Sequence, residues 1–337
     1  MKTLGVLGAG SWGTALAVHF ASSGHCVRLW SRRSEVTERI ATEGENSEYL
    51  PGIPIPEDLE CTSDLRDLAE SDPVLVVVPS HGYREVVRAF LAVRSADRPV
   101  TLVSATKGIE TESLARVSQV SREEAKAAQR EVAFGLLSGP TFAAELARNM
   151  PSAAVVASEV PDLGMRLREL LSTPSLRLYS TGDVVGVELG GAAKNVIAVG
   201  AGLLHGLGLG HNTQAALITR GLHEITRLGL ACGGEIGTLS GLAGLGDLVL
   251  TCTGGLSRNR KTGIALAQGK SLAEIEAETS MVAEGVKNSL ALSRLSARLG
   301  IEMPITEQMR SVIYDGKSPR QALEELMARE RKAENQL

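Results

Sequence analysis

Apolar residues along this chain fall into two regimes. Through the first half they gather into short runs, at residues 3–7, 26–30, 74–78, 100–104, 132–137 and 153–157, with Arg28 interrupting the second. Runs of this length without polar alternation read as strands buried on both faces. Between them the spacing turns helical at 14–23, 83–93 and 141–148. Strand and helix in alternation predict an α/β fold with a parallel sheet covered on both faces. Past Ser180-Thr-Gly-Asp183 strand runs become scarce and helical spacing dominates. Two domains are expected, a sheet domain over 1–182 and an all-helical domain over 183–337.

One apolar stretch needs separate treatment, because residues 195–219 contain no Asp, Glu, Lys or Arg. A membrane span of that length would be interrupted by Asn195, His205, His211, Asn212 and Gln214, and broken at Gly206-Leu-Gly-Leu-Gly210. The pattern predicts a buried pair of helices and no membrane span. Composition sharpens this: 43% of the 337 residues are hydrophobic but only 3% aromatic, and 36 are Gly. The core must be aliphatic, with backbones in close approach. A net charge of −4 argues against a nucleic-acid partner, which selects for a basic footprint. Cys26, Cys61, Cys232 and Cys252 form no C-x-x-C pair, as expected of reduced thiols in a cytoplasmic protein.

The loop after the first strand reads Gly8-Ala-Gly10-Ser-Trp-Gly13 and leads into a helix. That is the order of a Rossmann-type dinucleotide-binding unit. Gly8 permits the tight turn, Gly10 lets the backbone approach a pyrophosphate, and Gly13 lets helix and strand pack closely. The helix N-terminus offers amide groups to the anion. The second strand ends in Ser31-Arg32-Arg33, where NAD enzymes place an acid. Two guanidinium groups suit the 2′-phosphate of NADP, so NADP(H) is expected as the preferred cofactor and NAD(H) as a possible one; a solvated basic loop is the plain alternative. Polar clusters follow the later strands at 79–81, 105–108 and 138–141. Lys107 stands in the second, either as a surface lysine or facing a ligand at the strand ends.

Chemistry in the second half centres on Lys194, set in Glu188-Leu-Gly-Gly-Ala-Ala-Lys194-Asn195 among small and apolar residues. A buried ammonium needs a partner, and a site that accepts its cost is a candidate for chemistry; the alternative is a lysine that snorkels to water. Asp247, in Gly241-Leu-Ala-Gly-Leu-Gly246-Asp247, is either that partner or a helix cap. Ser257-Arg258-Asn259 near a helix start forms a candidate phosphate cradle or a solvated basic turn. Gly263 and Gly269 are one residue too far apart for a P-loop. No metal is expected, since no H-E-x-x-H occurs and His205 and His211 are poorly spaced to share one.

Taken in order, these motifs closely resemble the bacterial-type NAD(P)-dependent glycerol-3-phosphate dehydrogenase family. The resemblance spans nearly the whole chain, through Gly8–Gly13, Tyr49-Leu-Pro-Gly52, Lys107-Gly-Ile-Glu110, Ser138-Gly-Pro140, Lys194-Asn195, the 241–247 segment, Leu256-Ser-Arg-Asn-Arg260, Glu284-Gly285 and Met303-Pro-Ile305. It implies reversible reduction of dihydroxyacetone phosphate to sn-glycerol 3-phosphate for phospholipid synthesis, and a homodimer. It implies Lys194 as catalytic acid–base, with Lys107, Gly139, Thr141, Asp247, Ser257, Arg258 and Asn259 at the substrate. Cofactor positions by the same resemblance are Ser11, Trp12, Arg32, Arg33, Tyr49, Lys107, Ala143, Arg258, Val282 and Glu284. Departures are small: Thr141 replaces a common Ser, His205 and His211 stand where Asp is frequent, and Ala283 is smaller than usual. Two readings compete: another enzyme of the 6-phosphogluconate or hydroxyacid dehydrogenase-like group, and a non-catalytic NADP-sensing protein. The first would share the nucleotide unit and Lys-Asn but not the whole set, and the second would have little use for Lys194 and Asp247.

Overall fold

The computed structural model describes residues 3–95, 98–278, 283–330 and 333–334. They form two compact units, Met1–Lys107 with Ala115–Val184, and Gly108–Leu114 with Val185–Leu337. The division is therefore not a single chain position. Residues 108–114 belong to the second unit, where Ile109 is fully buried in the core.

The first unit carries ten strands: β1 (Leu4–Leu7), β2 (Val27–Trp30), β3 (Glu45–Asn46), β4 (Leu50–Pro54), β5 (Leu59–Thr62), β6 (Val74–Val76), β7 (Val100–Ser104), β8 (Val132–Ser138), β9 (Ser152–Ala157) and β10 (Leu176–Thr181). Its helices are α1 (Ser11–Ser22), α2 (Ser34–Glu43), α3 (Tyr83–Val93), α4 (Val117–Ala127), α5 (Ala143–Ala147) and α6 (Pro161–Leu171). Eight strands make one sheet in the order β10-β9-β8-β7-β6-β1-β2-β5, and β3 pairs with β4 in a separate hairpin. The sheet is parallel, with Leu4 opposite Val27 and Val6 opposite Leu75, apart from the β8–β9 pair. At that pair the sheet departs from the expected parallel order. The intervening 139–151 segment holds only α5, a five-residue helix, and this connection doubles back on the sheet instead of crossing it.

Strands expected from apolar runs are all present. Of the four that the pattern did not announce, β5 and β10 are the sheet edges and β3 and β4 form the separate hairpin. Along β10 buried and exposed residues alternate through Leu176–Tyr179, so no continuous apolar run marks it. α1 starts three residues earlier than the apolar period suggests, because its first turn is Ser11-Trp12-Gly13.

The second unit is helical: α7 (Val184–Gly206), α8 (His211–Ala231), α9 (Ile236–Leu239), α10 (Asp247–Thr253), α11 (Arg258–Ala267), α12 (Leu272–Ala277), α13 (Glu284–Leu299), α14 (Pro304–Tyr314) and α15 (Pro319–Met327). A π-helical turn, Leu242–Gly246, leads into α10. The charge-free stretch folds as expected into the end of α7 and the start of α8, with a break at 207–210. Val184–Gly206 and Ile236–Thr253 are long and apolar enough to cross a membrane by composition, yet 94% of the α7 window is buried inside the protein. Backbone meets backbone where α7 crosses α11: a Cβ on Gly202 would lie 2.0 Å from the Arg260 carbonyl oxygen, and one on Gly263 would lie 2.0 Å from that of Val199. Such proximity is available only to glycine, and it brings the 257–260 segment against the helix that bears Lys194.

Candidate active site

In the first unit the glycine turn has the shape its sequence calls for. Gly8 sits at φ +114°, in the left-handed region, and a Cβ on Gly13 would lie 1.8 Å from the Gly8 carbonyl oxygen. Around Gly10, by contrast, a Cβ would meet nothing within 4 Å. α1 then begins at Ser11 without a side-chain cap. Trp12 adds a buried indole N–H with no hydrogen-bond partner. An open face at Gly10, an uncapped helix start and an orphaned donor fit a nucleotide diphosphate at this turn. The turn is braced from the β3–β4 hairpin, where buried Asn46 donates to the Ala9 carbonyl at 2.9 Å and to Thr14 Oγ1 at 2.8 Å.

Arg32 and Arg33 follow β2 and are both exposed. Arg33 reaches the hairpin: Nη1 and Nη2 donate to the two Glu48 oxygens at 2.8 and 3.2 Å, and Nη1 also donates to the Tyr49 hydroxyl at 2.9 Å. Arg39 donates to the same carboxylate at 3.2 Å. The Arg33 guanidinium holds the Glu48 carboxyl below its ordinary range, and Glu48 in turn raises Arg33. The structure thus brings Arg33 and Tyr49 into direct contact and adds an acid, Glu48, that sequence reasoning missed. At the far side of β1, half-buried Lys107 donates to the Gly139 carbonyl at 3.0 Å, and Thr141 Oγ1 to the same oxygen at 3.3 Å. Ser138 Oγ is buried beside them with no partner. Ala143 opens α5.

In the second unit the two charges are paired. Lys194 Nζ donates to Asp247 Oδ1 at 2.8 Å and to Thr251 Oγ1 at 2.7 Å. The two charged side chains are 7% and 1% exposed, so the pair is shielded from water and salt. Asp247 is the first residue of α10, after Gly246 as N-cap, so it takes the role of partner and not of cap. Thr251 lies one turn further on and donates to the Asp247 carbonyl at 2.6 Å. Its signal was the i, i+4 spacing from Asp247, which places both on one helix face. Adjacent Cys252 is buried and its thiol is pushed up to about 12, so it stays protonated.

The 257–259 segment divides its labour. Ser257 caps α11, accepting from the Arg260 amide at 3.2 Å. Asn259 is buried: its Nδ2 donates to Asn195 Oδ1 at 2.8 Å, and its Oδ1 accepts from the Gly285 amide at 2.9 Å. A Cβ on Gly285 would lie 2.5 Å from the Asn195 carbonyl oxygen, which packs the α13 start against α7. Glu284 begins α13. Arg258 keeps much of its side chain accessible to solvent. Protein crowding lowers its guanidinium below the ordinary arginine value, and Glu284 opposes that shift. The expected cofactor position Val282 lies outside the described residues.

Residues 3–163 match the family described as NAD-dependent glycerol-3-phosphate dehydrogenase N-terminus, and residues 183–324 the C-terminus of the same family. The chain is 51% identical to glycerol-3-phosphate dehydrogenase [NAD(P)+] of Geobacter sulfurreducens over 99% of each chain. It is 49% identical to that of Koribacter versatilis over 98% of each. Among solved structures it is similar to glycerol-3-phosphate dehydrogenase of Coxiella burnetii, with a TM-score of 0.92 and 40% identity over 97% of this chain and 99% of that one.

Proposed function

Since the chain belongs to the NAD-dependent glycerol-3-phosphate dehydrogenase family and is an NAD(P)-dependent dehydrogenase of glycerol 3-phosphate, we propose that Lys194 is its acid–base residue. The observation that carries the reading is the buried Lys194–Asp247 pair, 2.8 Å apart. A bound nicotinamide supplies the hydride in the reducing direction. Negative charge then grows on the C2 oxygen of dihydroxyacetone phosphate. An ammonium aimed at that oxygen stabilises it and delivers the proton; in the oxidising direction the neutral amine takes the proton from the alcohol. Asp247 favours the charged form of Lys194, while burial opposes it. Thr251 fixes the direction of Nζ through a second hydrogen bond.

Arg258 is the cation that holds the substrate phosphate, with Ser257 and Asn259 fixing the segment that presents it. Their binding energy orients the reacting carbon. Lys107, Gly139 and Thr141 form the substrate-facing cluster of the first unit. The Gly8–Gly13 turn, Ser11, Trp12 and Ala143 hold the dinucleotide, and Arg32, Arg33 and Tyr49 its adenosine end, which supports NADP(H) as the preferred cofactor. The product feeds phospholipid synthesis in the cytoplasm, and the working form is a homodimer.

Lys194→Ala should lower kcat by at least ~10²-fold while leaving cofactor affinity intact. Near-wild-type turnover by a folded variant would end the assignment. For Arg258→Ala the expected loss is in affinity for the phosphorylated substrate, with a phosphate-free analogue affected little. An equal loss on both would remove Arg258 from the phosphate.

A further inference from the structure

We propose that Glu48 sets the balance between the two nicotinamide cofactors by competing with the 2′-phosphate of NADP for Arg33. The proposal rests on the reading of Arg32 and Arg33 as the 2′-phosphate site. Neither family resemblance nor motif spacing singles out Glu48; only the fold brings it there. Its hairpin is pinned to the nucleotide turn two residues earlier, where Asn46 holds Ala9 and Thr14. The Glu48 side chain is 16% exposed and both its oxygens face Arg33, while Arg39 shares one of them.

A bidentate carboxylate uses the same planar fork that a phosphate would use. An incoming 2′-phosphate, itself a dianion or close to it, must either displace Glu48 from Arg33 or accept a like charge beside it. A ribose bearing only a 2′-hydroxyl meets neither penalty, and a carboxylate there is a suitable acceptor for it. The weaker Arg32–Glu85 pair, 3.7 Å apart and largely exposed on both sides, leaves Arg32 as the cation more open to a phosphate. The two arginines are therefore unequal: one open, one engaged by an internal acid. The consequence is an enzyme whose NADPH preference is held down while NADH remains usable.

Isothermal titration of the whole protein with 2′,5′-ADP and with 5′-AMP reads the 2′-phosphate alone, without turnover. Glu48→Gln keeps the shape and one acceptor but removes the charge. It should bind 2′,5′-ADP about threefold tighter or better, the scale of one exposed charge pair, with 5′-AMP unchanged. The gain should vanish when Arg33→Ala is added. Glu48→Ala should reproduce the gain in case Gln still occupies the fork. If Glu48→Gln leaves the ratio of the two affinities unchanged while Arg33→Ala lowers it, the arginine reading stands and the role of Glu48 falls. Equal changes for both ligands would reduce Glu48 to a support of the hairpin and overturn the proposal. A ratio indifferent to Arg32→Ala and Arg33→Ala together would overturn the 2′-phosphate reading and the proposal with it.

Discussion

Asp247→Asn tests whether the buried pair is the energetic centre of the helical unit as well as the proposed chemical one. The substitution keeps the side-chain shape and an oxygen that can accept from Lys194, and removes only the charge. With the partners 7% and 1% exposed, the substitution takes a carboxylate charge from beside the buried Lys194. Removing one member of a buried pair costs about 3–5 kcal/mol, and the retained acceptor argues for the lower end, about 3 kcal/mol. The same loss of orientation should lower kcat by at least about tenfold. Both tryptophans of the chain, Trp12 and Trp30, belong to the first unit, so their fluorescence does not report on this transition. Urea unfolding followed by far-UV circular dichroism does, because the described residues of the second unit are mostly helical. Lys194→Met should rescue much of the stability, giving a double variant that costs less than the sum of the singles. A loss below about 1 kcal/mol, or strict additivity with Lys194→Met, would show that the charge is compensated elsewhere and refute the reasoning.

Further tests separate folding from binding. Gly13→Ala puts a Cβ 1.8 Å from the Gly8 carbonyl oxygen and should destabilise the first unit by several kcal/mol, whereas Gly10→Ala meets nothing within 4 Å and should melt like the wild type while losing affinity for 5′-AMP and NAD(P)H in titration. Normal affinity in Gly10→Ala would remove the pyrophosphate from that turn. Glu224, 1% exposed and accepting from the Ile305 and Thr306 amides at the start of α14, is raised from 4.5 to about 7 by burial. Its folded form binds the proton more tightly than its unfolded form, so its stabilising contribution is complete below about 4.5 and is lost as pH rises through about 7. Glu224→Gln should therefore flatten the pH dependence of urea stability between 4.5 and 7, by a span on the order of 3 kcal/mol; an unchanged profile would mean that Glu224 does not carry it.

Much of this protein was legible in its residues because the signals were local. Predominantly apolar runs marked every strand of the sheet interior, even where Arg28 and Thr101 interrupt them, since a strand covered on both faces has few polar positions to alternate. The glycine turn announced itself because steric exclusion at Gly8 and Gly13 is a property of adjacent backbone. Lys194 stood out because a charge in an aliphatic stretch is costly wherever the stretch ends up. Edge strands β5 and β10 were silent, since a half-exposed strand carries mixed residues. The antiparallel return of β9 was silent too, because direction is set by the connection and not by the strand.

What the chain alone determined was therefore the nucleotide-binding class of the first unit, the helical class of the second and the identity of the odd charge. What only the tertiary structure decided was pairing. Asp247 was equally readable as a cap or a partner until α10 met α7 and placed it 2.8 Å from Lys194. Ser257 and Asn259 looked alike in sequence, yet one caps a helix and the other ties α7 to α13. Arg33 read as a free cation until the hairpin laid Glu48 across it. Apart from the local Ser257 cap, each of these is a contact between residues 15 to 64 positions apart. Their energy depends on distance and burial, and neither quantity exists before the chain has packed.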